Sequence, residues 1–102
     1  NWQKLQTLNL NVCKIGKGVA KLLAENKTWT DLRRLNLREN KLGAQGAANL
    51  AKNKTWIKLE VLDLSYNQLE AKGILNLCKN KSWVNLKELD ISRNGIDQEG
   101  AG

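Results

Sequence analysis

The sequence predicts a repeat architecture of the α/β class, on three observations. All four tryptophans fall on one arithmetic series, Trp2, Trp29, Trp56 and Trp83, each 27 residues after the last. A leucine stands three residues beyond each tryptophan, and from there the chain reads LQTLNLNVC, LRRLNLREN, LEVLDLSYN and LKELDISRN. Between these blocks lie the stretches VAKLLAEN, GAANLAKN and GILNLCKN, whose apolar residues recur at roughly helical spacing. A fixed period of this size marks a chain built by stacking one supersecondary unit on the next.

Each unit justifies its elements in order. Leu8 and Leu10, Leu35 and Leu37, Leu62 and Leu64, and Leu89 and Ile91 alternate with polar residues, as a strand with one buried face requires. The next marked position holds Cys13, Asn40, Asn67 or Asn94. An inward asparagine there bonds backbone groups of the turn and of the neighbouring unit that burial would otherwise leave unsatisfied. An apolar residue two further on (Ile15, Leu42, Leu69, Ile96) closes the turn, and a glycine-containing stretch opens a short helix. The inward side of the helices is expected to hold Leu22 and Leu23, Ala47 and Leu50, and Ile74 and Leu77. Each tryptophan then sits in the loop before the next strand. Its large area suits a wedge that fixes the angle between units with little core of their own, in preference to an aromatic ladder for bases or sugars.

This pattern, L-x-x-L-x-L-x-x-N-x-L-G-x-x-G-A-x-x-L-A, is nearly complete at residues 32–51 as LRRLNLRENKLGAQGAANLA. It resembles the leucine-rich repeat family, and within it the ribonuclease-inhibitor-like class of long repeats. The resemblance covers one domain over residues 1–102, with repeats at 5–31, 32–58 and 59–85 and a partial one at 86–102. It implies a leucine-rich repeat solenoid: a curved right-handed βα superhelix, parallel sheet on the concave face and short helices on the convex face. Departures are small. Glu70 and Asp97 replace the turn glycine, and Gly18 falls one position early in the first repeat. The family's roles include enzyme inhibitors, innate-immune sensors, GTPase activators and effectors of intracellular bacteria. The Asn-Lys-Thr-Trp style of linker resembles bacterial members, which implies a cytoplasmic location or delivery into a host cytoplasm.

Composition argues against catalysis. There is no histidine, which removes the commonest general base and metal ligand. No phosphate-cradling glycine loop, Cys/His cluster or nucleophile–base pair can be drawn, so no catalytic residue, metal ligand or cofactor is expected. Asp63 and Asp90 share a repeat position, and two carboxylates on adjacent strands raise one pKa or bind a cation unless solvated and balanced, here by Lys87 and Arg93. Cys13 and Cys78 both fall at core positions, Cys78 aligned with Ala24 and Ala51. They lie more than two repeats apart, too far to bridge, and two buried thiols fit a reducing compartment.

The net charge of +7 invites a nucleic-acid reading. Assigned by face, however, the charges on the outward strand positions cancel. All four arginines and the only tyrosine lie on the concave face, with twelve of the thirteen lysines off it. Arginine and tyrosine are enriched at interfaces and lysine depleted. The expected function is therefore a non-catalytic module that binds a partner protein through Arg33, Arg34, Arg38, Tyr66, Asp63, Asp90 and Arg93. The rival is nonspecific binding of nucleic acid or anionic membrane by the lysine-rich convex side, including the column Lys27, Lys54 and Lys81; a third reading is an engineered or structural fragment with no ligand. No specific nucleic acid and no membrane span are expected.

Asn26, Asn53 and Asn80 each begin a glycosylation acceptor triplet. Their 27-residue spacing makes them one feature copied by repetition. Each is read as the asparagine that ends a helix in a left-handed cap, followed by a solvated lysine and the tryptophan wedge. The lack of methionine, and ends without the polar capping unit of solenoids, suggest a segment of a longer array or end-to-end stacking of copies.

Overall fold

The computed structural model describes residues 5–11 and 16–95. Strands and helices alternate: β1 (Thr7–Asn9), α1 (Gly16–Ala24), β2 (Arg34–Asn36), α2 (Gly43–Leu50), β3 (Val61–Asp63), α3 (Glu70–Cys78) and β4 (Glu88–Asp90). The four strands form one parallel sheet in the order β1-β2-β3-β4. Register advances by one repeat per strand, pairing Leu8 with Leu35, Leu35 with Leu62 and Leu62 with Leu89. Because the side-chain period of a strand is two, the flanking residues on each strand face away from this leucine row. The helices pack as a second layer, α1 on α2 and α2 on α3.

The core lies between the layers. Leu32, Leu35, Leu37, Leu42, Leu50, Leu59, Leu62, Leu64 and Leu69 are all buried, with Ala20, Ala47 and Leu77 closing it from the helix side. Trp56 is fully buried and Trp83 nearly so, while Trp29 packs partly buried against the same cluster. These three tryptophans therefore pack into the core; Trp2 lies outside the described residues. Gly73 marks a close approach of α3 to α2, since a Cβ there would sit 3.2 Å from the Ala44 Cα and the Ala47 Cβ.

The marked asparagines form the expected ladder. The Nδ2 of Asn40 donates to the Leu10 carbonyl at 2.8 Å, that of Asn67 to Leu37 at 2.8 Å and that of Asn94 to Leu64 at 3.0 Å. In return the Asn67 and Asn94 Oδ1 atoms accept the backbone N–H of Asn40 and of Asn67, each at 2.8 Å. Helices α2 and α3 use no side-chain N-cap; instead the first N–H of each donates to the carbonyl of Asn67 and of Asn94 in the next repeat, both at 2.8 Å. Helix N-termini that would otherwise expose donors are thus closed by the neighbouring unit. The turn between strand and helix puts alternate residues in the left-handed region: Glu39, Lys41 and Gly43, then Tyr66, Gln68 and Glu70. Glu70 (φ 62°) occupies the place of Gly43 (φ 69°) and Gly16 (φ 74°), so the replaced turn glycine keeps a glycine-like backbone.

Several expectations are corrected. Asn26, Asn53 and Asn80 do not cap the helices in a left-handed conformation, since none is among the residues with positive φ. They build a second ladder. The Asn53 Oδ1 accepts from the backbone N–H of Thr55 and Trp56, and its Nδ2 donates to the Ala24 carbonyl, all at 2.9 Å. Asn80 repeats this, donating to the carbonyls of Ala51 and Asn53 at 2.8 Å. Leu22 is 68% exposed: α1 turns Ala20 and Leu23 inward, and a neighbouring residue about 100° around the helix cannot share that face. Cys78 is exposed where a core position was expected. Ala24 and Ala51, its counterparts, are roofed by the asparagine of the following repeat, and among the described residues nothing plays that part for Cys78. Cys13 lies outside the described residues. Leu89 is 38% exposed on β4, whose outer edge carries no further strand among the described residues. Ser65, on the turn after β3, is buried and donates its hydroxyl to Asp63.

Candidate functional site

The sheet face turned away from the leucines carries the residues that sequence reasoning selected. Parallel register stacks them in rows: Thr7, Arg34, Val61 and Glu88 form one, and Asn9, Asn36, Asp63 and Asp90 the next. Thr7, Asn9, Arg34, Asn36, Val61 and Asp63 line a shallow depression of about 240 Å³ where these rows cross β1, β2 and β3. Arg34 is exposed at its centre strand, and among the described residues it enters no ion pair.

Its neighbours are tied down. The Arg33 Nη1 lies 2.9 Å from the Glu60 Oε2 one repeat on, a pair with both side chains partly exposed. Exposed pairs of this kind contribute at most about 1 kcal/mol, so its effect is mainly to orient the guanidinium. Arg38 stacks with its guanidinium carbon 4.6 Å from the centre of the Tyr66 ring. This cation–π contact, worth roughly 0.5–1 kcal/mol at an exposed site, holds a flexible arginine and a 41% exposed tyrosine in one arrangement. Tyr66 itself has φ 58°, so the turn geometry, rather than a strand, aims the ring.

Asp63 and Asp90 are partners in the register, as their repeat position implies. Neither forms a shared-proton pair with the other. Each carboxylate accepts the hydroxyl of the serine two residues later at 2.6 Å and that serine's backbone N–H at 3.0 Å, Ser65 for Asp63 and Ser92 for Asp90. The hydrogen bonds from the Ser92 hydroxyl and backbone N–H hold the Asp90 carboxyl below the usual range against the opposing effect of burial, with a lesser contribution from the positive charge of Arg38. The charge that acts on Asp90 is that of Arg38, where Lys87 and Arg93 were expected, and it is the smallest of these effects. Among the described residues no group of His, Cys, Asp and Glu is placed to hold a metal ion. Arg93 lies on the turn after β4 with φ 55°, at the position that Tyr66 holds one repeat earlier. The structure thus brings Arg33, Arg34, Arg38, Tyr66 and Asp63 together around β2 and β3, with Asp90 at their border.

A second feature is the lysine column that the repeat period places on the loops after the helices. The loops after the helices stack on one another, and Lys21, Lys27, Lys52 and Lys54 line a depression of about 530 Å³ between the first two. The recurrence of Lys27 and Lys54 located this edge in the sequence; Lys21 and Lys52 join it only through the fold. Among the described residues no helix is long and apolar enough to cross a membrane.

Comparison with known proteins accords with this architecture. No curated protein matches the chain at a significant level. A family model described as Leucine Rich repeat matches residues 30–51, 57–78 and 84–102, more than half of the sequence and in phase with the second, third and fourth repeats. With an in-register parallel sheet, one helix per described repeat and the asparagine ladder, the chain belongs to the leucine-rich repeat family, whose domains typically act as non-catalytic modules mediating protein–protein interaction.

Proposed function

We propose that the chain docks a partner protein on the open face of its sheet, the concave face of the solenoid, without catalysing a reaction. The observation that carries this reading is the pre-organised cluster around β2 and β3. Arg38 is stacked on Tyr66 and Arg33 is held by Glu60, so the entropy of ordering these long side chains is lost before binding rather than during it. Arg34 stands exposed between them over a shallow depression. The face is also graded in charge, with three arginines on and beside β2 against Glu60 and Asp63 on and beside β3. A partner carrying acidic residues opposite the first and basic residues opposite the second is complementary to it, and such patterning sets orientation and association rate.

The test is site-specific photo-crosslinking. A crosslinker at position 36, on the open face, is compared with one at position 45, on the exposed side of α2. The expected result is a defined adduct from position 36 that disappears in Arg33→Ala/Arg34→Ala/Arg38→Ala while the far-ultraviolet spectrum is unchanged. Equal adducts from both positions, or an adduct indifferent to the triple change, refute the assignment.

A further inference from the structure

The geometry points to a second, separate surface: the edge formed by the loops after the helices binds the surface of an anionic phospholipid bilayer. Three such loops are stacked in fixed register. Asn53 Nδ2 donates to the Ala24 carbonyl, Asn80 Nδ2 to the Asn53 carbonyl and Asn85 Nδ2 to the Ile57 carbonyl, at 2.9, 2.8 and 2.8 Å. The stacking places Lys27, Lys54 and Lys81, all exposed, in one column. Lys21 and Lys52 join it at the first depression, and Lys79 joins Lys54 and Lys81 at a second of about 270 Å³ between the next two loops. None of these six lysines enters an ion pair among the described residues, and Glu25 is the one acid lining either depression. The remaining lysine of the edge, Lys58, is neutralised by Asp31 at 2.9 Å.

Charge alone does not distinguish a lipid surface from other polyanions. The apolar residues of the same loops do. Ile57 is 49% exposed and Val84 is 76% exposed, each immediately after a buried tryptophan and three residues after a column lysine. They occupy equivalent positions in adjacent stacked loops, so they stand side by side. A tight turn, in which Asn53 Oδ1 accepts the N–H of Trp56 and the Thr55 carbonyl accepts that of Ile57, holds lysine and isoleucine on one short segment. Neither apolar side chain contributes to the core. A phosphate backbone offers such residues nothing, whereas a bilayer interface rewards both, by attracting the lysines to its headgroups and by burying the apolar tips at the acyl boundary.

The experiment is co-sedimentation of the full chain with phosphatidylcholine vesicles with and without phosphatidylserine, at low and physiological salt. Binding is expected only with phosphatidylserine, weakening as salt rises. Lys27→Ala/Lys54→Ala/Lys81→Ala is expected to lower the partition coefficient roughly a hundredfold, from ~1 kcal/mol per basic residue. Arg33→Ala/Arg34→Ala/Arg38→Ala removes the same charge from the other face and should change it by less than about fivefold. Ile57→Ser/Val84→Ser, at exposed sites, should keep the fold by circular dichroism and still lose several-fold in partition. Three results overturn the proposal: no binding to phosphatidylserine vesicles at low salt, equal loss from the lysine and arginine triples, or vesicle binding indifferent to Ile57→Ser/Val84→Ser. Duplex DNA bound more tightly than vesicles and indifferent to that double change would assign the edge to nucleic acid instead.

Discussion

Replacing Asn67 by alanine tests the ladder that joins the repeats. The side chain is fully buried. Its Nδ2 donates to the carbonyls of Leu37, Leu64 and Ser65 at 2.8, 3.0 and 3.1 Å, and its Oδ1 accepts the Asn40 N–H at 2.8 Å and, more weakly, the Leu42 N–H at 3.4 Å. Not all of these partners suffer equally. The Leu64 carbonyl keeps the Nδ2 of Asn94, and the Ser65 carbonyl keeps the Glu39 N–H. The Leu37 carbonyl loses its donor inside the protein, at a cost of about 1–3 kcal/mol for a buried unsatisfied acceptor. The Asn40 N–H loses a short, buried bond worth about 1 kcal/mol. The total is about 2–4 kcal/mol, a large share of the ~5–15 kcal/mol that stabilise a domain. Urea unfolding followed by tryptophan fluorescence reads it directly. With a slope of about 1–3 kcal/mol per molar urea for a small protein, the midpoint should fall by roughly 1–2 M. Asn36→Ala is the control, because Asn36 is half-buried and only accepts the Arg38 N–H of its own turn at 2.9 Å; its loss should be about 1 kcal/mol. If Asn67→Ala costs no more than Asn36→Ala, the ladder does not join the repeats energetically and the reasoning fails.

Other outcomes follow from the same bonds and turns. Asn53→Asp keeps the acceptor for Thr55 and Trp56 but faces the Ala24 carbonyl with a second oxygen; a loss of about 2–4 kcal/mol is expected at neutral pH. Because that buried carboxyl has a raised folded-state pKa, the loss should shrink as pH falls and a proton restores the donor, and a pH series of urea midpoints measures this. Gly43→Ala, at φ 69° with open space around the new Cβ, should cost about 1–2 kcal/mol of pure backbone strain. Gly18→Ala, within α1 at an ordinary φ and equally open, should instead gain about 0.5–1 kcal/mol, and thermal melts separate the two signs. Asp90, whose carboxyl is held below the usual range by Ser92 and Arg38, stabilises the fold above the ordinary carboxylate pKa, and this is lost as pH falls through its lowered value. Acid unfolding of Asp90→Asn should accordingly lack that part of the pH dependence.

The architecture was legible because one unit is written four times, so chance alternation of leucines is ruled out by repetition. The Asp63–Asp90 adjacency and the asparagine ladder followed from the same period. Single residues within a unit were less legible. Leu22 and Leu23 are both good helix formers, and only the angular position of Ala20 decides which one turns inward. Cys78 aligns with two half-buried alanines, but its exposure depends on what packs against the next repeat, which no local pattern records. Asn26, Asn53 and Asn80 were located correctly and given the wrong bond. A left-handed cap and a side-chain turn both favour asparagine at a helix end, and composition does not distinguish them. At the interaction surface, the residue types pointed to Arg38 and Tyr66 separately. Their stacking depends on the left-handed turn at Tyr66, invisible where glycine is absent.

The two asparagine ladders have a mechanical consequence. One runs beneath the strand-to-helix turns and the other along the loops before the strands, so the first three repeats are fastened to one another at two edges. Every one of these fastenings reaches only an adjacent unit. A chain pulled from its ends therefore meets no clasp that must break across the whole molecule at once. It should peel one unit at a time, each release lengthening the tether by roughly 90 Å, the extended span of one 27-residue period. Elongation in equal steps rather than a single rupture makes such a solenoid behave as a ratcheted spring.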